Sequence, residues 1–264
     1  MDVDRSYLKA MLKACVSATN SLYEFMGNSI CPVFKQNPEK SPFHSATMST
    51  YNRIILWMSD LATVSDPNHF QLAATCVRSI FEHLLDLKWL ITNPQEADKF
   101  FAFTNVRRFD IAAKILSECE RNSNIDREIF KTELRLANDS RSKEIRDELC
   151  LRHKWIKKNG DVSKPKHWWG ENIEQRTHAI DLDGSKEFQI YLKMYAFLSN
   201  HIHPGGVSLQ GISANALAQL FVGFHLKAQE FCKEATEIVL SNFPVPPTVI
   251  EEFRKKFFGD SPYK

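Results

Sequence analysis

Apolar residues recur at three- and four-residue spacing along most of the chain, which is the period of a helix with one buried face. Leu8, Met11, Leu12, Cys15, Leu22 and Phe25 set the first stripe, which Asp4 can cap and which runs to Gly27. The segment 28–43 holds three prolines and no period, so it reads as a surface loop. Met48, Tyr51, Ile54, Ile55, Met58 and Leu61 mark a second helix over 45–64. Asp66 and Pro67 supply the cap and first position of a third, 67–92, whose second half is apolar around most of its circumference. That pattern places it at the centre of the core.

Asn93, Pro94 and Glu96 open a Phe-rich fourth helix that runs to about Cys119. From 126 to 159 a charge-rich helical pattern keeps only a thin apolar stripe, Leu134, Ala137, Ile145, Leu149 and Ile156, with a break around 138–142 and Gly160 as its stop. A loop at 160–170 carries KPKHWWG, and short helices follow over 171–180 and 185–201, the second ended by Pro204, Gly205 and Gly206. A long last helix spans 213–241, and beyond Pro244 a Pro-rich and then basic tail is expected to be partly mobile. The pattern predicts an all-α protein, a single multi-helix bundle of about seven to eight helices. An N-terminal helix and loop, 1–43, would pack on a bundle domain, 44–243, followed by the tail, 244–264.

Composition agrees. Nine glycines in 264 residues are few for a fold built on tight turns, and nineteen phenylalanines call for a large aromatic core. With 34 basic against 32 acidic residues the net charge is +2, so nucleic-acid binding cannot be argued from charge overall and any basic surface must be local. Six cysteines, at 15, 31, 76, 119, 150 and 232, form no CxxC pair, which argues against a zinc ribbon or a disulfide scaffold and fits a reducing cytoplasm. No signal peptide or membrane span is read.

Three constellations could carry chemistry. Tyr191, Tyr195, Ser199 and His203 recur every four residues and line one helix face. Arg78, Glu82 and His83 lie in the apolar third helix beside Asp86 and Lys88. There an Arg could stabilise charge on a phosphodiester while a His moves a proton, or the group could be a structural ion pair. Arg152, His153, Lys154, Trp155, Lys157, Lys158, Lys164, Lys166, His167, Trp168 and Trp169 interleave cations with indoles. Such a surface suits single-stranded nucleic acid, although the tryptophans could equally pin the loop to the core. Phosphate-binding loops, nucleophile elbows and zinc-protease motifs are missing, and no metal or other cofactor is expected.

The pieces CVRSIFEHLLDLKWL, KHWWGENIEQRTHAI and YLKMYAFLSNHIHPG, in that order within 67–206, resemble a bacterial family of uncharacterised helical proteins. Its marks are an Arg-Ser-x-x-Glu helix, a Trp-containing loop and a Tyr-x-x-x-Ser-x-x-x-His-Pro ending. That family is similar to the HEPN group of helical bundles, several of which are metal-independent ribonucleases of toxin and phage-defence systems. The resemblance implies an HEPN-like core, a homodimer with a cleft at its interface, and an Arg and a His separated by four to six intervening residues acting there. It places His203 as that His, whereas the matching Arg would fall at Ala196.

Two functions follow. In one, the chain is a ribonuclease or RNA-binding component, with His203 as general acid or base, Arg78 facing the phosphate, Glu82, Ser199 and Tyr195 orienting, and Arg152, Lys154, Lys157, Lys158, Lys166 and Trp168 holding RNA. In the other, it is a non-enzymatic dimerising or partner-binding module with a degenerate HEPN site, and Arg78, Glu82, Tyr195 and His203 form a network that fixes helix register.

Overall fold

The computed structural model describes residues 5–36, 41–155, 167–169, 172–180, 189–190, 195 and 213–259. Every regular element among them is helical. The fold is thus the expected all-α one, and the chain divides into two compact units, Met1–Asn93 with Arg176–Lys264, and Pro94–Gln175. Most of the expected helix over 185–201, the Pro204-Gly205-Gly206 break and Gly160 lie outside the described residues.

In the first unit α1 (Arg5–Phe25), α3 (Pro42–Thr63), α4 (Phe70–Thr92) and α9 (Ala214–Asn242) make the core, α4 packing on both α3 and α9 while α1 lies against α9 and α3. Local chemistry sets their starts. Ser41 caps α3 by accepting from the His44 N–H, with Pro42 at the first position, and Ser213 caps α9 through Ala216. Asp66 accepts from the Asn68 N–H at 2.9 Å and opens a 3₁₀ turn, Pro67–His69, that leads into α4. Leu84, Leu85, Leu87 and Leu90 are all buried, so α4 occupies the centre its sequence pattern predicts.

The loop expected over 28–43 is helical at 28–36 and 42–43. A π-helical turn, Met26–Ile30, continues α1 into α2 (Cys31–Gln36). Pro32 has no N–H to donate, and the wider turn just before it absorbs that misfit, so a proline that breaks periodicity need not break the helix. The buried Met26, Ile30 and Phe34 reward the continuation. The tail also differs from expectation, because Pro247–Phe258 forms a helix, α10, with Phe253 fully buried.

A set of buried polar groups inside this unit is paired. Gln229 donates to the Cys15 carbonyl and to Thr19 Oγ1, and Thr19 Oγ1 lies 2.9 Å from His225 Nδ1. Burial pushes the His225 imidazole down to about 4 from the ordinary 6.5, so it is neutral in the folded chain. Between pH about 6.5 and about 4 the unfolded chain binds this proton and the folded one does not. Stability present above that window is therefore lost as pH falls through it, by up to about 3 kcal/mol. Urea unfolding at pH 7, 5.5 and 4.5 should show a shallower acid decline for His225→Asn than for the parent; parallel curves would refute this.

The second unit holds α5 (Ala97–Arg121), α6 (Lys131–Asn138) and α7 (Ser140–Arg152), with α6 and α7 both packed on α5. The expected break falls at Asp139, whose side chain accepts from the Ser142 N–H and caps α7. The helix does not run on to 159. It stops at Arg152 in a Schellman arrangement, in which the Trp155 N–H donates to the Cys150 carbonyl at 2.8 Å and the Lys154 N–H to that of Leu151 at 3.1 Å. Lys154 takes the left-handed position, φ 57°, that glycine usually fills. Cys150 and Trp155 pack with Ala102 and Val106 in the hydrophobic contact that closes the motif. Lys154→Gly removes the left-handed strain and should stabilise by about 0.5–1 kcal/mol, a rise in Tm of roughly 2 °C in a thermal melt.

Candidate functional site

Arg78, Glu82 and Asp86 recur every four residues on α4 and so form one polar stripe on the most buried helix of the first unit. Arg78 Nε donates to Glu82 Oε1 at 2.9 Å, and the Tyr195 hydroxyl donates to the same oxygen at 2.8 Å. The guanidinium carbon of Arg78 stands 4.7 Å from the centroid of the Tyr195 ring, a cation-π stack. Phe81 supports that ring, with centroids 6.3 Å apart. Arg78 is thus held along its edge by a carboxylate and across one face by an aromatic ring.

One turn on, Arg176 of α8 (Ile173–Ile180) pairs with Asp86 and donates to the main-chain carbonyl of Glu82 at 3.1 Å. This pair is sealed, with side chains 3% and 4% exposed, whereas those of Arg78 and Glu82 are 24% and 33% exposed. His83 Nδ1 stands 3.7 Å from Asp86 Oδ2, beyond hydrogen-bond reach. Asn172 caps α8, accepting from the Gln175 N–H at 2.9 Å.

The ionisation pattern suits a fixed cation. Burial acts to lower the Arg78 pKa, but the hydrogen bond and charge of Glu82, with Tyr195, raise it above the ordinary value. Arg78 stays charged. Burial and then the Glu82 charge push the Tyr195 hydroxyl up to about 12, so it remains a neutral donor. A guanidinium held at Nε by Glu82 and over the Tyr195 ring is preorganised, and its planar fork can meet two oxygens of an anion such as a phosphate.

Of the residues singled out in the sequence, Arg78, Glu82 and Tyr195 therefore meet. Ser199 and His203 lie outside the described residues, as do Lys157, Lys158 and Lys166. Arg152 and Lys154 are exposed, Arg152 pairing with Glu148. Trp168 corrects an expectation. It is 2% exposed and meets Phe100 edge-on at 5.6 Å, so it anchors the core of the second unit and has no open face for a base. Trp155 and Trp169 are buried likewise. Sequence reading missed Arg176. The signal was Asp86, a carboxylate in an apolar helix that had to find a cation elsewhere.

Among the described residues no cluster of three or more His, Cys, Asp or Glu could hold a metal ion, and no helix is long and apolar enough to cross a membrane. No curated protein and no solved structure matches the chain. Residues 44–215, well over half of the chain and including the whole polar stripe, Arg176 and Tyr195, match a family of unknown function, DUF5677, and the chain belongs to that family.

Proposed function

We propose that the chain is an HEPN-like helical protein that cleaves RNA without a metal ion, as a cytoplasmic component of a toxin or phage-defence system, and that it works as a homodimer. The observation that carries this reading is Arg78, a charged guanidinium fixed by Glu82 and Tyr195 yet one quarter exposed. In a phosphodiester cleavage, negative charge grows on the non-bridging oxygens, and a preorganised guanidinium stabilises it. His203 moves the proton, Ser199 and Tyr195 orient the reacting groups, and Arg152, Lys154, Lys157, Lys158 and Lys166 track the backbone. Trp168 drops out of the RNA surface because it is buried.

Purified protein and single-stranded RNA in EDTA provide the test. Cleavage should fall about 10²–10³-fold in Arg78→Ala and in His203→Ala, with circular dichroism unchanged. RNA left intact by the parent, or cut equally by parent and variants, refutes the enzymatic reading.

A second reading, a non-enzymatic partner-binding module with a degenerate HEPN site, draws support from Ala196 at the position of the expected Arg and from the charge balance of the stripe. On that reading RNA stays intact and Arg78→Ala costs about 1–2 kcal/mol, a modest figure because the pair is partly exposed.

A further inference from the structure

The carboxylate of Glu82 sits beside the cation proposed to take phosphate, and both are partly open to solvent. A phosphate on the terminal nitrogens of Arg78 lies roughly 6 Å from that carboxylate, close enough for substantial repulsion. Arg78 and Glu82 together carry no net charge. A second negative charge on the ligand therefore gains little from Arg78 that Glu82 does not cancel, while its desolvation still has to be met. The Tyr195 hydroxyl is committed to Glu82 Oε1 at 2.8 Å and strengthens the hold on that carboxylate.

We infer that Glu82 is a specificity residue: it makes the Arg78 site take a phosphodiester monoanion, as within an RNA chain, and reject a phosphomonoester dianion, as at a chain end. The inference rests on Arg78 being the phosphate-binding cation, and it adds what that reading leaves open, which phosphate is taken. A site of this kind acts on internal linkages.

Uridine 3′-monophosphate and its methyl ester differ by one methyl group and one charge at pH 7.5, and their affinities can be measured by titration calorimetry on the full chain. The parent should bind the methyl ester at least about fivefold more tightly. Glu82→Gln keeps the size of the side chain and an oxygen to accept from Tyr195 and Arg78. It should shift the ratio toward the monoester by about tenfold or more, the effect of one nearby charge reduced by salt. Tyr195→Phe retains the charge of Glu82 and the ring beneath Arg78, and should leave the ratio within about twofold. Equal affinities in the parent overturn the inference, and this arm needs no variant to fold. So does a ratio unchanged in Glu82→Gln. In either case binding that is lost in Arg78→Ala leaves the phosphate reading standing. Failure of the parent to bind either compound removes the reading and the inference together.

Discussion

Arg176→Ala should lower the unfolding free energy by about 3–5 kcal/mol, the range for breaking a buried ion pair from one side. The cost comes mostly from what stays behind. Asp86 is 4% exposed, and without the guanidinium its carboxylate stays desolvated and loses the cation it is paired with. The Glu82 carbonyl loses its second donor as well. Removing both charges is a different experiment: Arg176→Met with Asp86→Leu fills the same space without a stranded ion, and should recover most of the loss or exceed the parent. Urea unfolding of the two single variants and the double variant gives the coupling. Additive losses would show that Asp86 and Arg176 do not act as a pair.

This pair also bears on the site. Arg176 grips α4 through the carbonyl of Glu82, the residue whose side chain holds Arg78 and Tyr195. The stripe therefore separates two tasks along one helix. Asp86 and Arg176 are sealed and fix the backbone, while Arg78 and Glu82 are partly open to solvent.

What could be read from the sequence was what neighbouring residues decide. Asp66 with Pro67, Ser213 and Asp139 announce helix starts because a cap acts within two or three residues. The pairing of Arg78 with Glu82 follows from their spacing on one helix face. Tyr195 was visible as a member of a polar face, but its partner Glu82 is 113 residues away, and no period encodes that contact. Trp168 is a different failure. An indole among lysines looks the same whether its face stacks on a base or on Phe100, and only burial tells them apart. The stop after Arg152 has Lys154 rather than glycine in the left-handed position, and Pro32 hides a helix because proline resembles a terminator where a π-helical turn accommodates it.

Phe253→Ala should cost about 3–5 kcal/mol, as deletion of a fully buried aromatic ring does, although it lies in a segment whose composition suggests a loose tail. Its ring meets Phe25 at 5.7 Å, Phe257 at 5.4 Å and Phe258 at 5.7 Å, and Phe257 reaches Phe25 at 5.5 Å. Polar contacts hold α10 to α9: Lys233 Nζ donates to the Phe257 carbonyl at 2.9 Å, and Arg254 makes a two-pronged pair with Glu237. Arg254 is largely open to water and Glu237 partly so, and such a pair contributes little, so the burden falls on the phenylalanines. Arg254 and Lys255 turn away from Phe253, whereas Lys256, three residues on, lays its ammonium over the Phe25 ring at 5.7 Å. A melt of Phe253→Ala should show Tm lower by roughly 10 °C, and Arg254→Ala should change it by less than about 3 °C. A shift for Phe253→Ala no larger than that for Arg254→Ala would mean that α10 contributes nothing to the core of the first unit.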